Sequence, residues 1–194
     1  MNVIIFINIL IVLYNFFKKY IYNPMSMLTT DNYLSIVNGA LITDILVIIL
    51  LIQGSINSNV LIDWYKTYNL SAVIADVLII VIGVLLARLF YPYVYGANAA
   101  FSLLKFTILA VGIQIIHDLL FNGIITVIPR GTNRMVDTFK AYAKEVGVKA
   151  IISDSAMMIV TCLIANYLAN KSPSVSTVTF IVSVYCVPYL IYTW

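Results

Sequence analysis

The chain has 194 residues, 62% of them hydrophobic and 10% charged, with a formal net charge of +3 and a mean hydropathy of +1.02. Soluble domains are roughly 45–50% apolar and about 25% charged, so a water-solvated globule is excluded and a bilayer is the solvent that fits. The positive charge is too small and too scattered for nucleic acid, and Cys162 and Cys186 lie in apolar runs without a CxxC or a Cys/His cluster.

Residues 2–17 form a first hydrophobic run, followed at once by Lys18 and Lys19. A signal peptide carries its positive charges ahead of the apolar run and small residues after it, so the reversed order reads as an uncleaved anchor. A polar connection around Pro24 leads to a second predicted span at 34–56. Residues 57–69 read as a loop, with Trp64, Tyr65 and Tyr68 suited to an interfacial aromatic belt. Asn69-Leu70-Ser71 fits a glycosylation sequon, but it abuts the third span at 70–93 and is sterically poor. Within that span Ala72, Asp76, Gly83 and Ala87 share a helical face, and Gly83-xxx-Ala87 is a pair that admits a close neighbour.

Residues 91–98, with Pro92 and Gly96, read as a tight turn before a fourth span at 103–128. In 132–149, Met135, Phe139, Tyr142 and Val146 recur on one helix face, with Arg134, Asp137, Lys140, Lys144 and Glu145 opposite. That pattern predicts an interfacial amphipathic helix, capped by Thr132 or Asn133. A lid helix over the bundle is the rival reading. Spans at 150–168 and 175–192 complete the chain, the last with Pro188 near its end. No internal repeat stands out. The expected fold is an all-α membrane protein: a single domain over 1–194, a bundle of about six transmembrane helices with one interfacial amphipathic helix.

Four of the eight acidic residues, Asp44, Asp76, Asp118 and Asp154, fall inside predicted spans. A charge at the bilayer centre costs about 2.5–3.5 kcal/mol on insertion scales, so such residues face protein or water. Let the membrane side carrying the amphipathic segment be side A and the other side B; six spans then put both termini on side A. At ~1.5 Å per residue the acids, with His117, form a series roughly 8–18 Å deep from side A. Arg88 and Lys105 make a basic layer towards side B. This layering fits a proton or small-cation pathway through Asp44, Asp76, Gln114, His117, Asp118 and Asp154, or a static polar network that fixes helix order. Polar contacts between membrane helices average only ~0.6 kcal/mol, which tilts the reading towards function. Arg130, Arg134, Lys140 and Lys144 are candidates for lipid or partner contact. Six basic residues on side A against five on side B leave the orientation open, with the amphipathic cluster favouring a cytoplasmic side A.

HExxH, GxSxG, a phosphate-binding glycine loop, a paired-Asp transferase pattern and a potassium filter are all missing, so no enzyme is expected. His117 and Asp118 with further acids from other helices are a weak ligand set, and no metal or cofactor is expected. The stretches Ala72-Val-Ile-Ala-Asp76, Gly112-Ile-Gln-Ile-Ile-His117-Asp118, Met135-Val-Asp137-Thr-Phe-Lys140 and Ser153-Asp154-Ser-Ala-Met-Met158 together resemble uncharacterised multi-pass membrane proteins of nucleocytoplasmic large DNA viruses. The resemblance covers roughly residues 60–194. It implies a place, the virion's internal membrane or host membranes, and capsid proteins or further copies of the chain as partners besides lipid. It assigns no activity. The two expectations for function are therefore proton or cation transport and a structural or assembly role in a viral membrane.

Overall fold

The computed structural model describes residues 32–193; the predicted first span at 2–17 lies outside them. Seven helices and no strand make up the described residues: α1 Tyr33–Ile52, α2 Asn59–Tyr68, α3 Leu70–Tyr95, α4 Leu103–Val127, α5 Arg134–Val146, α6 Val148–Ala169 and α7 Pro173–Ile191. Five of them, α1, α3, α4, α6 and α7, are long and apolar enough to cross a membrane. Only a helix satisfies its own backbone within one segment in hydrocarbon, so apolar runs of this length form helices there. Outward rows such as Ile74, Leu78, Ile82 and Leu89 on α3, and Ile108, Ile116, Leu120 and Ile124 on α4, are exposed. Lipid is the solvent that matches them.

Helix α1 is the hub. It packs most extensively on α6 and also meets α7 and α3, while α4 meets α3 and α6. Thus α1, α3, α4 and α6 close a four-helix ring, with α7 outside against α1. Of the most apolar stretch in each helix, 56% is buried in α1 and 17% in α4, so α1 is screened from lipid where α4 is not. The α1–α6 approach is set by Gly39, where an added Cβ would lie 2.8 Å from the Thr161 carbonyl oxygen and 3.0 Å from the Ala165 Cβ. Thr161 donates to the Thr43 hydroxyl at 3.0 Å beside it. On side B, Asn38 donates to the Ser176 carbonyl at 2.8 Å and ties α7 to α1.

Two of the expected element boundaries are corrected. Residues 57–69 are not a loop: Ser58 caps α2 by accepting from the Leu61 N–H at 3.2 Å. Trp64 and Tyr65 are 3% and 1% exposed, packed inward rather than standing as an aromatic belt. Nor does Pro92 end α3, which runs on to Tyr95. A proline in the last turn forfeits one backbone bond, and the helix tolerates that so near its end. The Tyr91 phenol, bonded by the Ser102 N–H at 2.9 Å and donating to the Ala100 carbonyl, fastens the α3–α4 turn instead.

The structure also contains a repeat that the sequence reading missed. Helices α1–α2–α3 and α4–α5–α6 follow one plan: a span, a six-residue connection (53–58 and 128–133), a short amphipathic helix, a corner and a second span. Each amphipathic helix is capped by a side chain, Ser58 or Asn133. Each corner turns at one residue with positive φ, Asn69 at 48° and Gly147 at 58°. Asp76 follows Asn69 at the same interval as Asp154 follows Gly147, and Ala72-Val-Ile-Ala-Asp76 parallels Ala150-Ile-Ile-Ser-Asp154. The packing obeys the same two-fold relation, since α1 meets α3 as α4 meets α6, and α1 meets α6 as α4 meets α3. The repeat escaped notice because the two amphipathic helices differ in length, which shifts the register.

If the Gly39 contact sets the ring, Gly39→Val must push α1 from α6. Thermal unfolding in detergent is expected to show a loss of about 1–3 kcal/mol. Gly112→Val, at a position with nothing within 4 Å, is expected to change stability by less than about 0.5 kcal/mol.

Candidate functional site

Each helix of the ring contributes one carboxyl to the half nearer side A: Asp44 from α1, Asp76 from α3, Asp118 from α4 and Asp154 from α6. They form a chain of electrostatic neighbours, Asp44 with Asp76, Asp76 with Asp154, and Asp154 with Asp118. The repeat divides this chain into two pairs, Asp44/Asp76 and Asp118/Asp154, joined across the pseudo-two-fold by Asp76 and Asp154. Gly83 of α3 faces Met158 of α6, and an added Cβ there would lie 2.8 Å from the Met158 methyl.

Helix α2 supplies the partners of the first pair. Tyr65 donates to Asp44 Oδ1 at 2.7 Å, with both residues buried. Its phenol also has Asp76 as a carboxyl neighbour. Trp64 donates its indole N–H to Asp76 Oδ2 at 2.9 Å. The remaining oxygen of Asp44, Oδ2, is buried without a hydrogen-bond partner. In the second pair, Gln114 donates to Asp118 Oδ1 at 2.7 Å, and His117 Nδ1 stands 3.2 Å from the same oxygen. Asp118 Oδ2 is likewise buried and unpartnered. Among the described residues no lysine or arginine lies within ion-pair distance of any of the four.

His117 stands apart from the other acids. Its side chain is 36% exposed, against 15% for Asp118, and its ring stacks on Phe121 with centroids 5.7 Å apart. Adjacent residues on a helix point about 100° apart, so Asp118 faces the ring interior while His117 turns to the rim. Arg88 and Lys105 do not meet the acids either. Arg88 lies over the Tyr33 ring at 4.9 Å and Lys105 over the Tyr95 ring at 5.4 Å, both in the half nearer side B.

The two short helices cover the acid layer from side A. Phe139 of α5 packs on Trp64 of α2 at 4.9 Å and meets Phe121 edge-on at 5.1 Å. Ser58 donates to Glu145 at 2.6 Å, and Tyr68 pairs with Thr138 at 3.1 Å. The apolar face of α5 is therefore turned onto the bundle end. Of the cations expected to meet lipid or a partner, Arg130, Arg134 and Lys144 are exposed, with Arg134 over the Tyr68 ring at 5.8 Å. Lys140 is the exception: its ammonium donates to the Ile128 carbonyl just past the end of α4. The negative end of the helix dipole favours a cation there.

Sequence reasoning did not find Trp64, Tyr65 or Tyr142 as members of the site. A signal was present. After the capping Ser58, the residues Leu61, Trp64, Tyr65 and Tyr68 keep the spacing of one helix face. Comparison with protein-family models, with curated proteins and with solved structures finds no match.

Tyr142 of α5 faces the layer from the second repeat. Burial, with Asp154 as the largest of the charges nearby, pushes its phenol up to about 12. Folding thus favours the neutral phenol. The associated stability is fully present below the ordinary value of 10.0 and is lost as pH rises through about 12. Titration of phenolate absorbance is expected to lose one late-ionising tyrosine in Tyr142→Phe, and that variant should lose less stability than the parent between those two pH values.

Proposed function

We propose that this multi-pass membrane protein moves protons through the carboxyl layer, with Asp44, Asp76, Asp118 and Asp154 as the groups that carry them. The observation that supports the reading is the convergence of one carboxyl from each ring helix, with no Lys or Arg partner among the described residues and with oxygens of Asp44 and Asp118 left unpaired. Four bare negative charges in a medium of low dielectric repel one another strongly, and burial penalises each ion further. Protons resolve both problems, and a group that must hold a proton to remain buried can also release it. A coordinated metal ion fits less well, because among the described residues no three His, Cys, Asp or Glu side chains close around a common point. In this reading Asp118 and Asp154 serve the second repeat as Asp44 and Asp76 serve the first, and the α2–α5 cap governs access from side A.

A structural or assembly role in a viral membrane is the second reading. It is favoured by the exposed cations Arg130, Arg134 and Lys144 beside the cap, which suit anionic headgroups or an acidic capsid partner. Here the bonds from Trp64 and Tyr65 would serve only to dock α2.

Purified protein in liposomes carrying a pH gradient is expected to collapse the gradient. Asp118→Asn and Asp154→Asn should each slow the collapse by at least about tenfold. A parent protein without flux, or variants with unchanged flux, would support the assembly role instead.

A further inference from the structure

Asp44 is 0% exposed, so its carboxyl does not meet water directly, and Asp76 is only partly buried. Between the two stands one side chain, the Tyr65 phenol, bonded to Asp44 Oδ1 at 2.7 Å and adjacent to the Asp76 carboxyl. Among the described residues the α1 face around Asp44 shows no second hydrogen-bonded exit. Its neighbour Thr43 spends its hydroxyl proton on the Gly39 carbonyl at 2.8 Å and accepts from Thr161. Asp44 Oδ2 touches no polar atom. We propose that Tyr65 is a proton relay, and that Asp44 exchanges its proton with the rest of the layer only through this phenol.

The step balances without an ionic intermediate. The Tyr65 O–H bond breaks as its proton passes to Asp44 Oδ1, and the phenol oxygen takes a proton from the carboxylic acid form of Asp76. Net, one proton moves from Asp76 to Asp44, and the phenol is neutral before and after. Burial, followed by the charges of Asp44 and Asp76, pushes the phenol well above its ordinary value. Transfer through a free phenolate is thereby disfavoured, and a concerted hand-over is the route left. Trp64, one residue away on the same helix, shows the contrast: its indole N–H bonds Asp76 but has no acceptor site to pass a proton on.

The relay deepens the proton-transport reading but is measured separately from it. In detergent-solubilised full-length protein, the infrared carbonyl band of protonated Asp44 is assigned by its loss in Asp44→Asn. Its shift on transfer into D2O then reports exchange at that carboxyl. Tyr65→Phe is expected to slow the exchange by at least about tenfold, and Asp76→Asn, which keeps the Tyr65–Asp44 bond but removes the far carboxyl, is expected to slow it likewise. Tyr95→Phe, which removes a phenol in the half nearer side B that bonds the Lys105 carbonyl, should leave the rate unchanged. Wild-type exchange in Tyr65→Phe overturns the relay, as does equal slowing in Tyr95→Phe, or the absence of an Asp44 carbonyl band at every pH. Should Tyr65→Phe fail to fold, the Asp76→Asn rate decides. Tyr65-dependent exchange in a protein that shows no liposome flux would sink transport and leave the relay standing.

Discussion

A carboxyl group set among hydrocarbon must be screened from lipid by its own protein, and the architecture follows from meeting that demand four times. The acids could not be spread around the outside of the bundle, where lipid would meet them. They converge inside a ring of four helices, which Gly39 tightens by leaving α6 room to approach α1. For the first pair, the donors come from outside the membrane-spanning helices. Trp64 and Tyr65 reach in from α2 and bind Asp76 and Asp44, so a ten-residue helix becomes part of the buried core.

The internal repeat gives this arrangement an order that the sequence alone concealed. Two span–cap–span units each carry one acid in the span before the cap and one at a matching position after the corner, and each sends a phenol, Tyr65 or Tyr142, towards its own pair. The halves have diverged in detail. The first pair is held by an indole and a phenol, whereas Asp118 relies on Gln114 of its own helix and has His117 at its side. The two halves meet at Asp76 and Asp154, which are electrostatic neighbours.

The spans were legible from the sequence because apolar runs of that length have one physical outcome in a bilayer, and helices α3 and α4 begin where the hydropathy places them. That the four aspartates would turn into the bundle was legible for the same reason, since charge in a span is too costly to face lipid. Their meeting was not, because depth along a helix says nothing about the direction in which a side chain points. His117 shows this best: one residue from Asp118 in sequence, it looks outward while Asp118 looks inward. The role of α2 was hidden by composition. Asn57, Asn59, Asp63 and Lys66 make 57–69 read as a polar loop, although its aromatic residues already kept helical spacing.

The central claim is that the four carboxyls share one electrostatic environment. Infrared titration of the carboxyl bands tests it most directly, with Asp118 followed in the parent and in Asp154→Asn, and Asp44 followed in the parent and in Asp76→Asn. Removal of one neighbour is expected to move the protonation midpoint of the other in both pairs. Midpoints that stay where they were, each acid titrating as though the rest were absent, would contradict the account.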